Sequence, residues 1–237
     1  MIPYFIWNGV DSRDRGLIVS SYPALVRPAE RVNRITIPGR AGEVTILEGE
    51  DIYPSYIKTV GIGNKRTADA RANLAWLRGR GIVIFGSEPG WAYDAQIINQ
   101  VDLDRLWQGV YSGTVQFLCQ PYKRQVPEES PISVSGTATV TNPGDVASRP
   151  LLTVSLTADS TITIGDETIE IQVNALEADN GTYGVTIDCE SCVTWDTVAG
   201  KIAEAANPGS VYPRLAVGEN TVTSSAPAVI TPRWRWL

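Results

Sequence analysis

For most of its length the chain alternates apolar and polar side chains in short runs, the period-two pattern of half-buried strands. Arg31-Val32-Asn33-Arg34-Ile35-Thr36-Ile37 is one such run. The turn Pro38-Gly39-Arg40-Ala41-Gly42 follows it, then a return run Glu43-Val44-Thr45-Ile46-Leu47. Together they predict a β-hairpin with a loop longer than two residues. Further strands are predicted at 16–20, 54–62, 81–86, 92–101 and 110–119. One segment breaks the pattern: Thr67-Ala68-Asp69-Ala70-Arg71-Ala72-Asn73-Leu74-Ala75-Trp76-Leu77-Arg78-Gly79. It predicts an amphipathic helix over 67–78 lying on a sheet. Thr67 would cap it, Asp69 suits its first turn, Ala70, Leu74 and Leu77 form the apolar face, and Gly79 stops it.

From Gln120 to Gly136 the chain carries Pro121, Pro127 and Pro131, with Glu128-Glu129-Ser130 between them. Prolines and charges at that density predict a connector over about 120–136. Beyond it, short Thr/Val/Ile runs are separated by Asn142-Pro143-Gly144-Asp145, Gly165-Asp166-Glu167 and Asp179-Asn180-Gly181, the spacing of a β-sandwich or jelly roll. Asp196 to Asn207 reads equally as a short helix or an irregular loop. Val198, Ile202 and Ala206 keep helical spacing, while Gly200 interrupts it and Asn207-Pro208-Gly209 closes it.

Length and charge divide the chain in the same place. At 237 residues it suits two domains of roughly 100–130 residues. Residues 1–125 hold 15 Lys/Arg and 12 Asp/Glu, whereas residues 126–237 hold 5 and 14. The change of sign near residue 125 predicts a boundary, giving domains over 1–125 and 126–237. An acidic second half would repel nucleic acid and anionic lipid, and the first half shows no basic stripe, so nucleic-acid recognition is a poor reading. The apolar start Met1-Ile2-Pro3-Tyr4-Phe5-Ile6-Trp7 lacks a basic flank and is soon followed by Asp11, Arg13 and Asp14, so it does not read as a signal peptide. No run approaches the roughly 18–20 apolar residues of a membrane span. A soluble, cytosolically made, mainly β protein is the expectation.

The chemistry is sparse. The sequence has no histidine, which removes the usual general base, the commonest metal ligand and the Ser-His-Asp and Cys-His triads. It has no Gly-x-Ser-x-Gly motif. Gly61-Ile62-Gly63-Asn64 faintly resembles a phosphate loop but lacks the third glycine and the Gly-Lys-Ser/Thr signature, and is read as a strand-to-helix turn. Cys189-Glu190-Ser191-Cys192 has the CxxC spacing, yet it follows a strand-like run and has only the distant Cys119 to complete a ligand set; it is read as small residues at a strand end. Carboxylates are plentiful, and spacing alone does not pair them in a cleft. No enzyme activity, cofactor or metal is expected. Seven tryptophans are present, and Trp234-Arg235-Trp236-Leu237 ends the chain. Trp234 and Trp236 would share one strand face, either as a stacking platform for sugars or a partner, or as core anchors, the reading favoured for large aromatics.

Read in order, several segments resemble the distal tail (Dit) family of long-tailed, siphovirus-type bacteriophages. They are Phe5-Ile6-Trp7-Asn8-Gly9-Val10-Asp11-Ser12 running into Arg15-Gly16-Leu17-Ile18-Val19, then Arg31-Val32, then Ile37-Pro38-Gly39-Arg40-Ala41-Gly42. In the second half they are Thr186-Ile187-Asp188, Tyr212-Pro213-Arg214-Leu215-Ala216-Val217-Gly218-Glu219-Asn220 and Arg233-Trp234-Arg235-Trp236. The resemblance covers nearly the whole chain. It implies a structural tail component: an N-terminal β-sandwich with one flanking helix that forms a ring, a hexamer in that family, and a galectin-like C-terminal β-sandwich that projects outward. It further implies the tail tube protein, tail-hub or baseplate proteins and a receptor-binding protein as partners, DNA as passive cargo, and a place in the virion tail after assembly in the host cytoplasm. Members of the family often carry added carbohydrate-binding modules; none is seen in these residues, so host binding does not come with the resemblance. Ring contacts are expected on the hairpin, at Ile35, Ile37, Pro38, Gly39, Arg40, Val44 and Ile46, because exposed strand edges pair across subunits. The competing readings are a carbohydrate-binding β-sandwich module and a tail-tube-like or terminator ring protein.

Overall fold

Strands hold 52% of the residues and helix 7%, so the chain is mainly β, as its alternation predicts. The computed structural model describes residues 2–47, 49 and 51–237 and divides into two units between Pro127 and Glu128.

The first unit runs β1 (Phe5–Trp7), β2 (Val10–Asp11), β3 (Leu17–Ser21), β4 (Val32–Thr36), β5 (Glu43–Leu47), β6 (Tyr56–Asn64), α1 (Thr67–Trp76), β7 (Arg80–Phe85), β8 (Trp91–Ile97), β9 (Leu103–Trp107) and β10 (Val110–Gln125). Its main sheet has the order β2-β1-β7-β8-β10-β6-β3, with β9 added on β10. The long strand β10 explains the curl. One edge pairs with β6, while the other serves β9 over Val110–Gly113 and β8 over Phe117–Gln125. The β10–β8 register slips between Cys119 and Lys123, where Pro121 sits; proline lacks the N–H a regular ladder needs and is tolerated at such a bulge. β10 therefore continues to Gln125, so the residues between the last strand of this unit and the first of the next are only 126–131.

Inside the curl, Phe117 is the hub of an aromatic cluster. Its ring lies 5.6 Å from Phe5, 5.4 Å from Trp7 and 5.7 Å from Phe85, in tilted or edge-on geometry. One charged group is enclosed with them. Lys58 on β6 is buried, with Nζ donating to Glu88 Oε2 at 2.9 Å and to the Tyr93 hydroxyl at 3.3 Å.

The helix forms where the alternation stops, but two details differ from the expectation. Arg66 occupies the N-cap position without a side-chain cap, and the Thr67 hydroxyl instead bonds that of Tyr111 at 3.0 Å. The buried face is Ala70, Asn73 and Leu77, while Leu74 faces solvent. The buried Asn73 donates its amide N–H to the Arg15 carbonyl at 3.2 Å, tying the helix to the β2–β3 turn, while its Oδ1 has no hydrogen-bond partner among the described residues. Gly61-Ile62-Gly63-Asn64 is not a turn: it is the end of β6, and its glycines allow close neighbours, since a Cβ on Gly61 would meet the Ser20 and Ser21 hydroxyls.

The second unit runs β11 (Ile132–Asn142), β12 (Leu151–Leu156), β13 (Ser160–Ile164), β14 (Glu167–Ile171), β15 (Ala178–Asp179), β16 (Thr182–Asp188), β17 (Val193–Asp196), β18 (Lys201–Ile202) and β19 (Gly218–Thr231). The same device recurs. β19 pairs with β11 along one edge and splits the other between β13 and β12, with a register slip opposite Gly136, and Pro227 lies in the slipped stretch. Every second residue of β19 from Asn220 to Ile230 is buried, and these pack with Leu152, Val154, Ile162, Val185 and Ile187. Trp234 is buried in this core and Trp236 half-buried against it, so neither forms a displayed platform. Outside the strand, Arg233 grips Asp188 at 2.7 Å and Arg235 grips Glu190 at 2.6 Å, holding the last residues against the Cys189–Cys192 turn.

Asp196 to Asn207 is neither alternative as first read. Asp196 accepts the backbone N–H groups of Val198, Ala199 and Glu177, turning the chain into the short strand β18 and a single 3-10 turn at Glu204–Ala206. No helix among the described residues is long and apolar enough to cross a membrane.

Candidate subunit interface

Strands β4 and β5 form a sheet of their own, paired only with each other among the described residues. The register Asn33↔Ile46, Ile35↔Val44 and Thr36↔Glu43 decides what each face presents. One face carries Ile35, Val44 and Ile46 with Asn33, and Ile37 continues it into the turn. The other carries Arg34, Thr36, Glu43 and Thr45 between Val32 and Leu47. The turn uses Gly39 and Gly42 at φ of 81° and 82°, which favours glycine, and Arg40 N–H donates to the Ile37 carbonyl at 3.1 Å.

All seven hairpin residues singled out from the sequence therefore lie on one ribbon. Ile35 is 43% exposed, Ile37 42% and Ile46 48%; Val44 is half-buried, and Pro38, Gly39 and Arg40 are exposed in the turn. A lone two-stranded ribbon is marginal in water. One that spends its apolar face on solvent gains little from folding, whereas covering three half-exposed isoleucines is worth about 1 kcal/mol each.

The ribbon is tethered at its base. Arg31 N–H donates to the Ile52 carbonyl at 2.9 Å, closing the base of the ribbon beyond its last strand pair, Val32↔Leu47. The Tyr122 hydroxyl on β10 donates to the Asp51 carbonyl, and the Tyr122 ring meets Tyr53 edge-on at 6.1 Å. The ribbon thus leaves the first unit beside the C-terminal end of β10.

Sequence reading missed a second exposed apolar group. At the β9–β10 hairpin, Leu106 is 68% and Trp107 79% exposed, with Val110 paired across from Trp107. The signal was present in Leu106-Trp107-Gln108-Gly109-Val110: a tryptophan next to a glycine turn sits where no core of its own chain reaches it. In the second unit Trp195 is 39% exposed beside Ile202, its partner on β18.

Cys119 and Cys189 are buried free thiols, each pushed up to about 12 chiefly by burial, with the Lys58 charge opposing the rise at Cys119 and the Asp188 charge adding to it at Cys189. Cys192 is exposed and its φ of 55° lies in the left-handed region, a tight-turn position. No group of three or more His, Cys, Asp or Glu side chains is placed to hold a metal among the described residues. Burial acting on Asp188 would raise its pKa, but the Arg233 guanidinium and the N–H groups of Glu190 and Ser191 together hold it below the usual carboxylate range.

No family model matches this sequence, and no curated protein sequence matches it. Among solved structures, the crystal structure of the SPP1 Dit protein (gp 19.1) matches with a TM-score of 0.73 over 97% of each chain at 18% sequence identity. That protein is described as a paradigm of the hub adsorption apparatus in phages infecting Gram-positive bacteria. The chain shares its fold through both units, and the fold is that of the family its sequence resembles.

Proposed function

We propose that this chain is a distal tail protein, a non-enzymatic hub component at the tip of a long-tailed phage. Its first unit closes a ring of identical subunits, hexameric as the resemblance implies, which continues the tail tube and lets DNA pass. Its second unit faces the tail-hub and adsorption proteins, and the assembled protein resides in the virion tail. The observation that carries this reading is the match over 97% of both chains to a protein of the hub adsorption apparatus.

The ribbon supports the ring. Its apolar face, with Ile35, Ile37, Val44 and Ile46, has no cover within its own sheet, and a cyclic assembly supplies the same cover to every subunit. Changing Ile35 and Ile46 together to glutamate leaves the monomer folded, because both are already exposed, and abolishes ring assembly seen by light scattering. Rings of normal mass and stability from that variant would refute the ribbon as the ring contact.

A carbohydrate-binding role is the second reading, and Trp195 is the observation in its favour. Glycan-array binding that disappears with Trp195→Ala would favour it.

A further inference from the structure

A ring built head to tail needs two different surfaces on each subunit, one that donates and one that receives. The ribbon is the donor under the reading above, on which this inference rests. We infer that the receiving surface is the β9–β10 hairpin arm, with Trp107 and Leu106 as its anchors and the apolar ribbon face of a second copy of this chain as its occupant.

Three observations converge on that assignment. First, β9 is an edge strand that pairs only with β10 among the described residues, so one row of its backbone donors and acceptors is available to another strand. At five residues it matches β4 and β5 in length. An added strand on such an edge is a common recognition mode, its affinity coming from main-chain bonds and its specificity from side chains.

Second, the exposed side chains suit each other. The arm presents Leu106, Trp107 and Val110 where the ribbon presents Ile35, Ile37 and Ile46. Tryptophan is the residue type most enriched at the energetic centre of interfaces, and this one is 79% exposed in the single chain. The ribbon turn carries exposed Arg40, and the arm carries exposed Asp102 and Asp104 beside Arg105.

Third, the two surfaces lie at opposite ends of one strand. The ribbon base is fixed by Tyr122 near the C-terminal end of β10, and the arm joins β10 at Val110. Twelve residues of strand separate them, up to about 40 Å. With the tether and the arm at opposite ends of β10, ribbon and arm are placed to engage different neighbours, the head-to-tail arrangement that a cyclic assembly uses.

Two variants test the pairing in the full chain. Trp107→Glu removes the receiver; the Ile35→Glu and Ile46→Glu double variant removes the donor. Trp107 is solvent-exposed, so its variant keeps the wild-type circular dichroism spectrum. Each variant alone is expected to be monomeric at concentrations where wild type forms rings, the Trp107 change raising the assembly concentration at least about 30-fold. Mixed one to one they retain one intact donor and one intact receiver, so sedimentation should show dimers and nothing larger. Rings of normal stability from Trp107→Glu would overturn the arm as receiver while leaving the ring reading intact. A mixture that stays monomeric, or a single variant that forms dimers through two like surfaces, would overturn the pairing. Wild type without rings would instead overturn the ring reading on which the pairing rests.

Discussion

Lys58 offers a quantitative check on the first unit's interior. Its side chain is 1% exposed and its ammonium is held by Glu88, by the Tyr93 hydroxyl and over the Tyr93 ring at 4.5 Å. Glu88 is 13% exposed and also receives Lys123 at 3.9 Å. The two ends of the pair therefore differ in how much help remains when the other is lost. Glu88→Gln leaves an ammonium in a dry site with neutral acceptors only, at a cost of about 3–5 kcal/mol. Lys58→Met leaves a carboxylate that keeps Tyr93 and Lys123, at a cost of about 2–4 kcal/mol. Lys58→Met with Glu88→Gln removes both charges and preserves an acceptor for Tyr93, so the double variant should recover about 2 kcal/mol of the summed loss. Hydrogen exchange read by mass spectrometry separates the units, because β6 and β10 peptides report on the first alone. A loss of 3 kcal/mol accelerates their globally protected amides about 150-fold. Less than a threefold change for Lys58→Met, or a double variant as damaged as the sum, would refute the reasoning.

Other consequences follow from the same geometry. Burial by itself would raise the Glu88 pKa, but the bonds from Lys58 and Tyr93 and the charges of Lys58 and Lys123 together hold it below the ordinary 4.5; Asp188 is likewise lowered. Stability from a lowered carboxyl is complete above its unfolded pKa and is lost as pH falls through the folded value, so the urea midpoint should drop below about pH 4. Glu88→Gln should flatten part of that slope, and an unchanged slope would exclude Glu88 as its source. Trp234 is 4% exposed and its indole N–H is bonded to Glu129; Trp234→Ala should cost about 3–5 kcal/mol, read in second-unit peptides, with a smaller loss for half-buried Trp236→Ala. Thiol titration of the folded chain should modify Cys192 alone, since burial protects Cys119 and Cys189; a second fast-reacting thiol would contradict their placement.

Much of the fold was legible because alternation is a local signal. The hairpin of residues 31–47 and the strands β3, β6, β7, β8 and the first part of β10 follow from alternation, and the helix from its break at Thr67, whereas the short strands β1, β2 and β9 are not read from it. What escaped depended on partners distant in sequence. Pro121 marks a break when read locally, yet β10 passes through it because a bulge absorbs the missing donor. Asn73 reads as polar and outward, but it is buried and donates to the Arg15 carbonyl, 58 residues away, while Leu74 turns to solvent. Asp196 looks like any acidic turn residue, and only three converging N–H groups reveal that it dictates the following loop.

The candidate interface was half legible for the same reason. An alternating ribbon announces its two faces, so Ile35, Val44 and Ile46 could be grouped from sequence. Alternation does not say whether the main sheet covers that face, and here it does not. The C-terminal Trp234-Arg235-Trp236 invites attention, yet the second core absorbs Trp234 and half-buries Trp236, whereas Trp107 is 79% exposed. Apolar composition is shared by core and interface residues, and topology alone separates them.

The central claim is that this chain assembles into the ring of a tail-tip hub. Solution mass by light scattering over a concentration series, with negative-stain imaging of the largest species, addresses it directly. The account predicts closed six-fold rings of six times the 25.7 kDa chain mass. A mass of one chain at every concentration up to the limit of solubility, with no closed particles on the grid, would contradict it.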